Sequence, residues 1–329
     1  MQPNEVSRGG LALAQHIAPA YSVSPKVAAV LLGGSVARGW ADEYSDLELG
    51  VFWSEPPTDD ERREAISRAG GEAWSVSPAD DEQRWRAGDH YGIAAVTIGG
   101  MRYTGTSMIS AQHLTVETAE AWISDVLDHY DTSLEKQGLL SAIRHGVVLS
   151  GEKILETWKS RVATYPGELA RRIIRENIWF GPWFWPDGYA RRGDALVLHQ
   201  HFVWMEQSML RVLAALNRIY YRSEEHKWMD RLIDEMTTTP RDLSARMKQV
   251  LGADPAAERE LKVLIAETID LVEAHMPEVD LPFPGDEHPE VSLAWARERW
   301  GPRKPYSLMG NIASAIESGH PPGKGTGWS

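Results

Sequence analysis

Short apolar runs and alternating polar positions predict a sheet in the first half of the chain. Residues 26–32 (KVAAVLL) form an apolar run that stops at two glycines, which is typical of a buried strand. Residues 46–53 (DLELGVFW) alternate between polar and apolar positions, which indicates a strand with one buried face. Further strands are predicted at residues 91–98 and 106–114. The first half therefore predicts short strands mixed with helices, one of them at residues 116–128.

Helical spacing replaces the strand pattern beyond about residue 155. Apolar residues recur at intervals of three, four and seven within residues 191–221, and a second helical stretch covers residues 256–275. The predicted fold class is α+β, with a small mixed sheet and its helices followed by an all-helical C-terminal domain. The predicted domain ranges are 1–150 for the sheet domain, 151–276 for a helical bundle and 277–329 for an extension containing proline and glycine.

The turn between the first two predicted strands carries the candidate chemistry. Gly34 and Ser35 follow the first strand, where a glycine lets backbone N–H groups approach an anion and the serine adds a hydroxyl donor. Asp46 and Glu48 lie two residues apart on the next strand, so their carboxylates project from the same face. Carboxylates paired in this way suit Mg²⁺, which binds through one or two carboxylates together with substrate phosphates. The residues therefore favour a site for a phosphate and a metal.

The same residues resemble the nucleotidyltransferases of the DNA polymerase β superfamily. Their signature combines Gly-Ser, a following Arg-Gly and then Ser-Asp-x-Asp/Glu, and it is matched here by Gly34-Ser35, Arg38-Gly39 and residues 45–48. The resemblance implies that Gly34 and Ser35 hold the triphosphate and that Asp46 and Glu48 are the catalytic metal ligands. Arg38 either contacts phosphate or packs the short helix through a salt bridge to the 42–43 loop.

One position departs from the superfamily pattern. A third acid is expected on a later strand, but residues 108–114 (MISAQHL) contain no carboxylate, and either Ser110 or Gln112 takes its place. Glu117 and Asp89 are substitutes by position alone, and His113 is a further proton acceptor whose structural alternative is a packed strand histidine. The general base therefore stays unassigned, and a site with reduced or lost activity is left open.

Composition limits the class of substrate. The 329 residues carry a formal net charge of −13, and a partner nucleic acid would require a basic surface that this balance does not predict. An acidic chain favours a cationic or neutral small acceptor, although the charge is equally consistent with solubility alone. The chain has no cysteine, which excludes disulfides and thiolate metal sites. No long apolar run or leader is evident, so we expect a cytoplasmic protein without a membrane association.

The pairing of a nucleotidyltransferase half with a helical half resembles the aminoglycoside and related antibiotic nucleotidyltransferases. Lys227, which follows a predicted loop, would grip the triphosphate, or else is a surface lysine beside Trp228. Glu206 on the long helix is either a base or ammonium ligand or part of a solvated helix face. The aromatic segment 179–185 either stacks on a ligand or packs in a core.

These observations predict a Mg²⁺-dependent enzyme that transfers a nucleoside monophosphate, AMP from ATP, to a hydroxyl of a small molecule such as an aminoglycoside-like antibiotic. Two alternatives remain. One is a protein or tRNA nucleotidylating enzyme of a toxin or stress system, and the other is a nucleotide-binding regulatory protein with a decayed site. The sequence leaves the oligomeric state open, a homodimer included.

Overall fold

The computed structural model describes residues 3–78, 84–93, 96–98, 101–103, 108–180, 189, 192–221, 227–252, 257–281, 283–286 and 289–300. The chain forms two compact units. The first comprises Met1–Ile174 and Arg211–Thr238, and the second comprises Arg175–Leu210 and Thr239–Ser329. The domain ranges predicted from the sequence stay a prediction. Within the described ranges, no helix is both long and apolar enough to cross a lipid bilayer.

The first unit is built on a six-stranded mixed sheet with the strand order β3-β4-β7-β2-β1-β8. Only β2 and β7 pair in parallel among these strands, and the other neighbours are antiparallel. A separate two-stranded ribbon pairs β5 with β6. The strands are β1 Val27–Leu32, β2 Leu47–Trp53, β3 Gly71–Val76, β4 Arg86–Ile93, β5 Val96–Ile98, β6 Met101–Tyr103, β7 Met108–Thr115 and β8 Val147–Ser150.

The described helices accompany the sheet and continue through the second half of the chain. They are α1 Glu5–Ser22, α2 Gly34–Arg38, α3 Asp59–Arg68, α4 Val116–Asp128, α5 Leu134–His145, α6 Glu152–Val162, α7 Gly167–Asn177, α8 Ala195–Leu216, α9 Met229–Asp234, α10 Leu243–Leu251, α11 Ala257–His275 and α12 Leu293–Trp300, with a 3₁₀ turn at Pro277–Asp280. No strand follows Ser150 among the described residues. The α+β fold class predicted from the sequence is confirmed.

The two faces of the sheet have different roles. Alternate residues of β2, namely Leu47, Leu49, Val51 and Trp53, are buried in a core shared with α1 and α3. The intervening residues Glu48, Gly50 and Phe52 turn to the opposite face, where the ring of Phe52 packs edge-on against Trp158 of α6 at 4.9 Å. The alternation of the sequence thus separates a packing face from an opposite face, here named the ligand face, which is packed at Phe52 and exposed at Glu48.

A polar cluster is buried on the packing face. Arg62 of α3 and Asp89 of β4, both almost fully buried, form an ion pair, and Asp89 Oδ2 lies 3.1 Å from His113 Nε2. Trp53 Nε1 donates to His113 Nδ1 at 3.0 Å, so a neutral ring carries its proton on Nε2. Burial lowers the pKa of His113. Asp89 and His113 are therefore held in a buried cluster with Arg62 and Trp53, and the interpretation of either as a substitute base stays a prediction.

The buried ion pair predicts a large loss of stability on neutralisation. Asp89→Asn would leave the Arg62 guanidinium buried without its charge partner, and removing one member of such a pair costs about 3–5 kcal/mol. Asp59→Asn is the matched control, because Asp59 contacts the same guanidinium at 2.7 Å from a side chain that is 60% exposed. We expect the control to lose less than about 1 kcal/mol in urea unfolding. Equal losses in the two variants would contradict this role of Asp89.

Candidate functional site

A cleft of about 1080 Å³ opens on the ligand face of the sheet, and all the residues that line it belong to the first unit. Its floor comes from β2, β7 and β4, one wall from the turn after β1, and another wall from α5. A further stretch of lining comes from Tyr221, Lys227, Trp228 and Leu232. The site residues predicted from the sequence all line this cleft: Gly34, Ser35, Arg38, Asp46, Glu48 and Lys227. Residues that are far apart in the sequence are thus brought together.

The glycine turn lies directly against Glu48 of β2. Gly33 N–H donates to the Glu48 carbonyl at 2.9 Å, which ties the turn to β2. Gly34 has a φ of +63°, and a methyl group placed on it would lie 2.5 Å from Glu48 Oε2. A side chain at this position would be strained by the positive φ and would require the Glu48 carboxylate to move. The Glu48 carboxylate therefore lies directly against the turn that would receive a phosphate.

Asp46 is positioned by the loop that precedes β2. Asp42 Oδ1 accepts hydrogen bonds from Ser45 Oγ at 2.9 Å and from the Tyr44 backbone N–H at 3.0 Å. The Ser45 hydroxyl also accepts from the Asp42 N–H at 3.0 Å, which closes the turn. This small ring of hydrogen bonds fixes the chain immediately before Asp46. It also presents Tyr44, whose side chain is 87% exposed, at the lining of the cleft.

Arg38 links three elements around the cleft. Its guanidinium donates to Glu235 Oε1, directly after α9, and to Ser141 Oγ of α5, both at 2.8 Å. The group also lies 5.0 Å over the Trp40 ring, and only 5% of the side chain is exposed. The salt bridge of Arg38 is thus formed with Glu235 and not, as the sequence had suggested, with the 42–43 loop. Contact with a phosphate by Arg38 stays a prediction, while its contacts show that it holds α2 against α5.

The α5 side of the cleft carries residues that the sequence did not identify. Arg86 forms an ion pair with Glu135 and lies 5.5 Å over the Trp122 ring, and all three residues line the cleft. His145, at the end of α5, also lines it. Arg86 reaches the cleft because β4 pairs antiparallel with β7, and this pairing places Arg86 opposite Leu114. No local sequence pattern relates Arg86 to Glu135.

The strand opposite the acid pair provides amide and hydroxyl groups. In the parallel pairing of β2 with β7, Glu48 is opposite Ser110 and Gly50 is opposite Gln112. Glu117 is an exposed residue in the first turn of α4. Among the described residues, no group of three acid or histidine side chains is placed to hold a metal. β7 itself thus supplies no carboxylate opposite the acid pair.

Glu206 belongs to the second unit, where it lies on α8 and is only 4% exposed. The interpretation of this residue as part of a solvated helix face is wrong. Among the residues that the structure describes, its Oε1 has no hydrogen-bond partner, and burial raises the pKa of its carboxyl to about 8. Trp179, at the start of the aromatic segment, donates from Nε1 to the Glu176 carbonyl at 2.8 Å. Residues 181–185 of that segment lie outside the described residues.

The buried carboxyl of Glu206 predicts a pH dependence of stability. Between the ordinary pKa of 4.5 and the raised value of about 8, the unfolded chain releases this proton while the folded chain keeps it. The free energy of unfolding should therefore fall with rising pH by up to about 1.4 kcal/mol per unit, and level off above pH 8. Glu206→Gln should remove this pH-dependent part of the free energy of unfolding. Urea unfolding of the parent protein and the variant from pH 5 to 8.5 measures the free energy at each pH, and the same pH dependence in both proteins would contradict the prediction.

The sequence matches no established protein-family model and no curated protein. Among solved structures, the chain is similar to a nucleotidyltransferase-like protein from Exiguobacterium sibiricum 255-15, with 12% sequence identity and a TM-score of 0.36. The alignment covers 97% of each chain. Because this TM-score is below 0.5, the function has to be inferred from the residues that line the cleft.

Proposed function

We propose that the protein is a nucleotidyltransferase that uses Mg²⁺ and ATP to transfer AMP to a hydroxyl group of a small molecule. The observation that supports this most strongly is the contact between the Gly34 turn and the Glu48 carboxylate, where a methyl group would lie 2.5 Å from the acid oxygen. A glycine turn by itself is common, and so is an acidic strand. A phosphate cradle directly against a carboxylate is the arrangement that a metal-bound triphosphate requires.

The residues fit a divalent cation by the chemistry of their donors. Asp46 and Glu48 would hold it, since carboxylate oxygens are the ligands that Mg²⁺ prefers, and the closed turn at Asp42 to Ser45 fixes the approach of Asp46. When bound, such a cation neutralises charge on the phosphates and makes the α-phosphorus more electrophilic. Because Gly34 has no side chain, the turn that would hold a phosphate and the carboxylate that would hold the cation lie close together.

The chain's own groups would position and stabilise the reactants. Ser35 and the first backbone N–H groups of α2, which have no partner within the helix, would donate to the phosphates. Lys227 would lie near the departing pyrophosphate and offset its charge. The oxygen of the acceptor hydroxyl forms a bond to the α-phosphorus as the bond to the bridging oxygen breaks. Pyrophosphate leaves, and the hydroxyl proton is released to solvent.

The acceptor is proposed to be an aminoglycoside-like antibiotic or a similar amino sugar. The net charge of −13 supports a cationic acceptor by electrostatic attraction. The cleft volume of about 1080 Å³ is large enough for a nucleotide and a second small molecule, since typical ligand pockets are about 300–1,000 Å³. The proposal therefore includes a role in antibiotic resistance and a cytoplasmic location.

A screen for pyrophosphate release tests this function. Each of the four ribonucleoside triphosphates would be combined with Mg²⁺ and a panel of hydroxyl-bearing antibiotics and sugars, with EDTA reactions as controls. The expected result is Mg²⁺-dependent release with ATP and at least one amino sugar. Absence of release across the whole panel would contradict the proposed transfer to such acceptors.

A second candidate is a nucleotide-binding regulatory protein with a decayed catalytic site. It is favoured by the lack, among the described residues, of any group of three acid or histidine side chains that could hold a metal. Stabilisation of the protein by ATP and Mg²⁺ in thermal unfolding, combined with no pyrophosphate release, would support this candidate over the enzyme.

A further inference from the structure

A short segment of the first unit, residues 227–238, brings Lys227 to the cleft and is here named the Lys227 segment. Lys227 and Trp228 line the cleft and are followed at once by α9, and Glu235 is the residue directly after that helix. Leu232 of α9 also lines the cleft and is only 6% exposed. Lys227 and Glu235 thus flank one helix of about 9 Å in length, so a contact made by Glu235 constrains the position of Lys227.

The end of the Lys227 segment is held by Asn217, the residue directly after α8. Asn217 Oδ1 accepts hydrogen bonds from the backbone N–H groups of Thr237 at 2.8 Å and Thr238 at 2.9 Å. Asn217 Nδ2 donates to the Thr238 carbonyl at 2.8 Å. None of these three residues lines the cleft, so these bonds fix the base of the segment and not its distance from the phosphate cradle.

The ion pair between Arg38 and Glu235 connects the Lys227 segment to the cradle. The guanidinium and the carboxylate are 2.8 Å apart, and the two side chains are 5% and 27% exposed. Arg38 also donates to the buried Ser141 hydroxyl at 2.8 Å, which fixes the guanidinium independently of Glu235. Arg38 is the last residue of α2, whose first turn forms the cradle. A charge-assisted hydrogen bond that is largely shielded from water thus joins the cradle helix to the segment.

We infer that Glu235 is a positioning residue: through its ion pair with Arg38 it holds the Lys227 segment at the distance from the cradle at which the Lys227 ammonium binds the β- and γ-phosphates. Glu235 does not line the cleft, so it acts on the nucleotide through α9 and not by contact. The inference rests on the proposed function, since it presupposes a triphosphate in the cradle.

A double-mutant cycle tests whether Glu235 acts through Lys227. Titration calorimetry with a non-hydrolysable ATP analogue and Mg²⁺ gives the affinity without requiring turnover. Glu235→Ala removes the carboxylate, and Lys227→Met removes the ammonium group. Glu235→Gln is the conservative variant, because its amide oxygen can still accept from Arg38. Asp234→Ala is the matched control, since Asp234 is an exposed residue of α9 that loses the same charge and does not line the cleft.

We expect Glu235→Ala to weaken binding of the analogue by about tenfold, comparable to Lys227→Met, because the contact between the ammonium and the phosphates is lost in both. Glu235→Gln should weaken binding less than Glu235→Ala does. Asp234→Ala should stay within about twofold of the parent protein. In a protein that already carries Lys227→Met, the Glu235→Ala change should have an effect of less than about twofold.

Two results would overturn the inference and leave the proposed function standing. One is unchanged affinity in Glu235→Ala, and the other is an equal loss from Glu235→Ala with and without Lys227→Met. Should Glu235→Ala not fold, Glu235→Gln takes its place in the cycle, and its loss must likewise disappear in the presence of Lys227→Met. Failure of the parent protein to bind the analogue with Mg²⁺ would overturn both the proposed function and the inference.

Discussion

Changing Asp46 to Asn and Glu48 to Gln together should lower the rate of nucleotidyl transfer by a factor on the order of 10³ or more. Each change keeps the size of the side chain and removes one anionic ligand, so charge on the transferred phosphoryl group is no longer neutralised. The midpoint of thermal unfolding should change little, because both residues line an open cleft and are not in the packed face of the sheet. Pyrophosphate release with the acceptor found in the screen measures the rate.

Glu43→Gln provides the control for this experiment. Glu43 is an exposed residue of the same loop, does not line the cleft, and loses the same charge on substitution. Its rate should remain within about twofold of the parent protein, since an exposed charge outside the cleft acts weakly through solvent. Transfer that persists in the double variant at the parental rate would contradict the assignment of Asp46 and Glu48 as metal ligands.

The second large effect is expected at Gly34. Gly34→Ala would place a methyl group 2.5 Å from Glu48 Oε2, so the carboxylate must move away from the turn and the phosphate loses its space. The affinity for ATP with Mg²⁺ should fall by about tenfold or more, which corresponds to at least about 1.4 kcal/mol. The substitution also introduces backbone strain, because φ at this position is +63°.

The variant Gly70→Ala separates the effect of backbone strain from the effect of the contact between the new methyl group and Glu48. Gly70 has a φ of +74°, similar to that of Gly34, but no atom lies within 4 Å of the added methyl group. Both variants should therefore lose a comparable amount of stability through strain, about 1 kcal/mol. Only Gly34→Ala should lose affinity for the nucleotide. Unchanged nucleotide affinity in Gly34→Ala, measured by titration calorimetry, would show that the turn does not bind phosphate.

The strands and helices with strong local signals were predictable from the sequence. The predicted strand at residues 46–53 corresponds to Leu47–Trp53, because its alternation reflects two faces with different surroundings. The predicted helix at residues 116–128 corresponds to Val116–Asp128, where the Thr115 side chain accepts a hydrogen bond from the Thr118 N–H. Local capping and periodicity were sufficient in these segments, since the determining contacts lie within a few residues.

The strands with weak signals required tertiary information. Gly71–Val76 lies at one edge of the sheet with no buried residue, and Val147–Ser150 is a four-residue edge strand that is half-buried throughout. Arg86–Ile93 contains two glycines and a buried aspartate, which disfavour a strand in isolation. Asp89 is tolerated there because Arg62, on a helix 27 residues earlier, supplies its charge partner.

The candidate site also combines features that the local sequence predicts with features that depend on distant residues. The cradle and the acid pair fall within 15 residues of sequence and line one cleft, although Asp46 lies just before β2 and not within the predicted strand. The partners of Arg38 were not predictable, because Glu235 lies 197 residues away. The burial of Glu206 was also missed, since a single carboxylate on a helix gives no local indication that the surrounding chain excludes water.

The central claim is that the cleft binds a nucleoside triphosphate through the Gly34 turn and a divalent cation held by Asp46 and Glu48. Titration calorimetry with a non-hydrolysable ATP analogue tests it directly, in Mg²⁺ and in EDTA, on the parent protein and on the Asp46→Asn/Glu48→Gln variant. The account predicts binding by the parent protein that is strong in Mg²⁺, weak in EDTA, and weak in the variant under both conditions. Equal affinity in Mg²⁺ for the parent protein and the variant would contradict it.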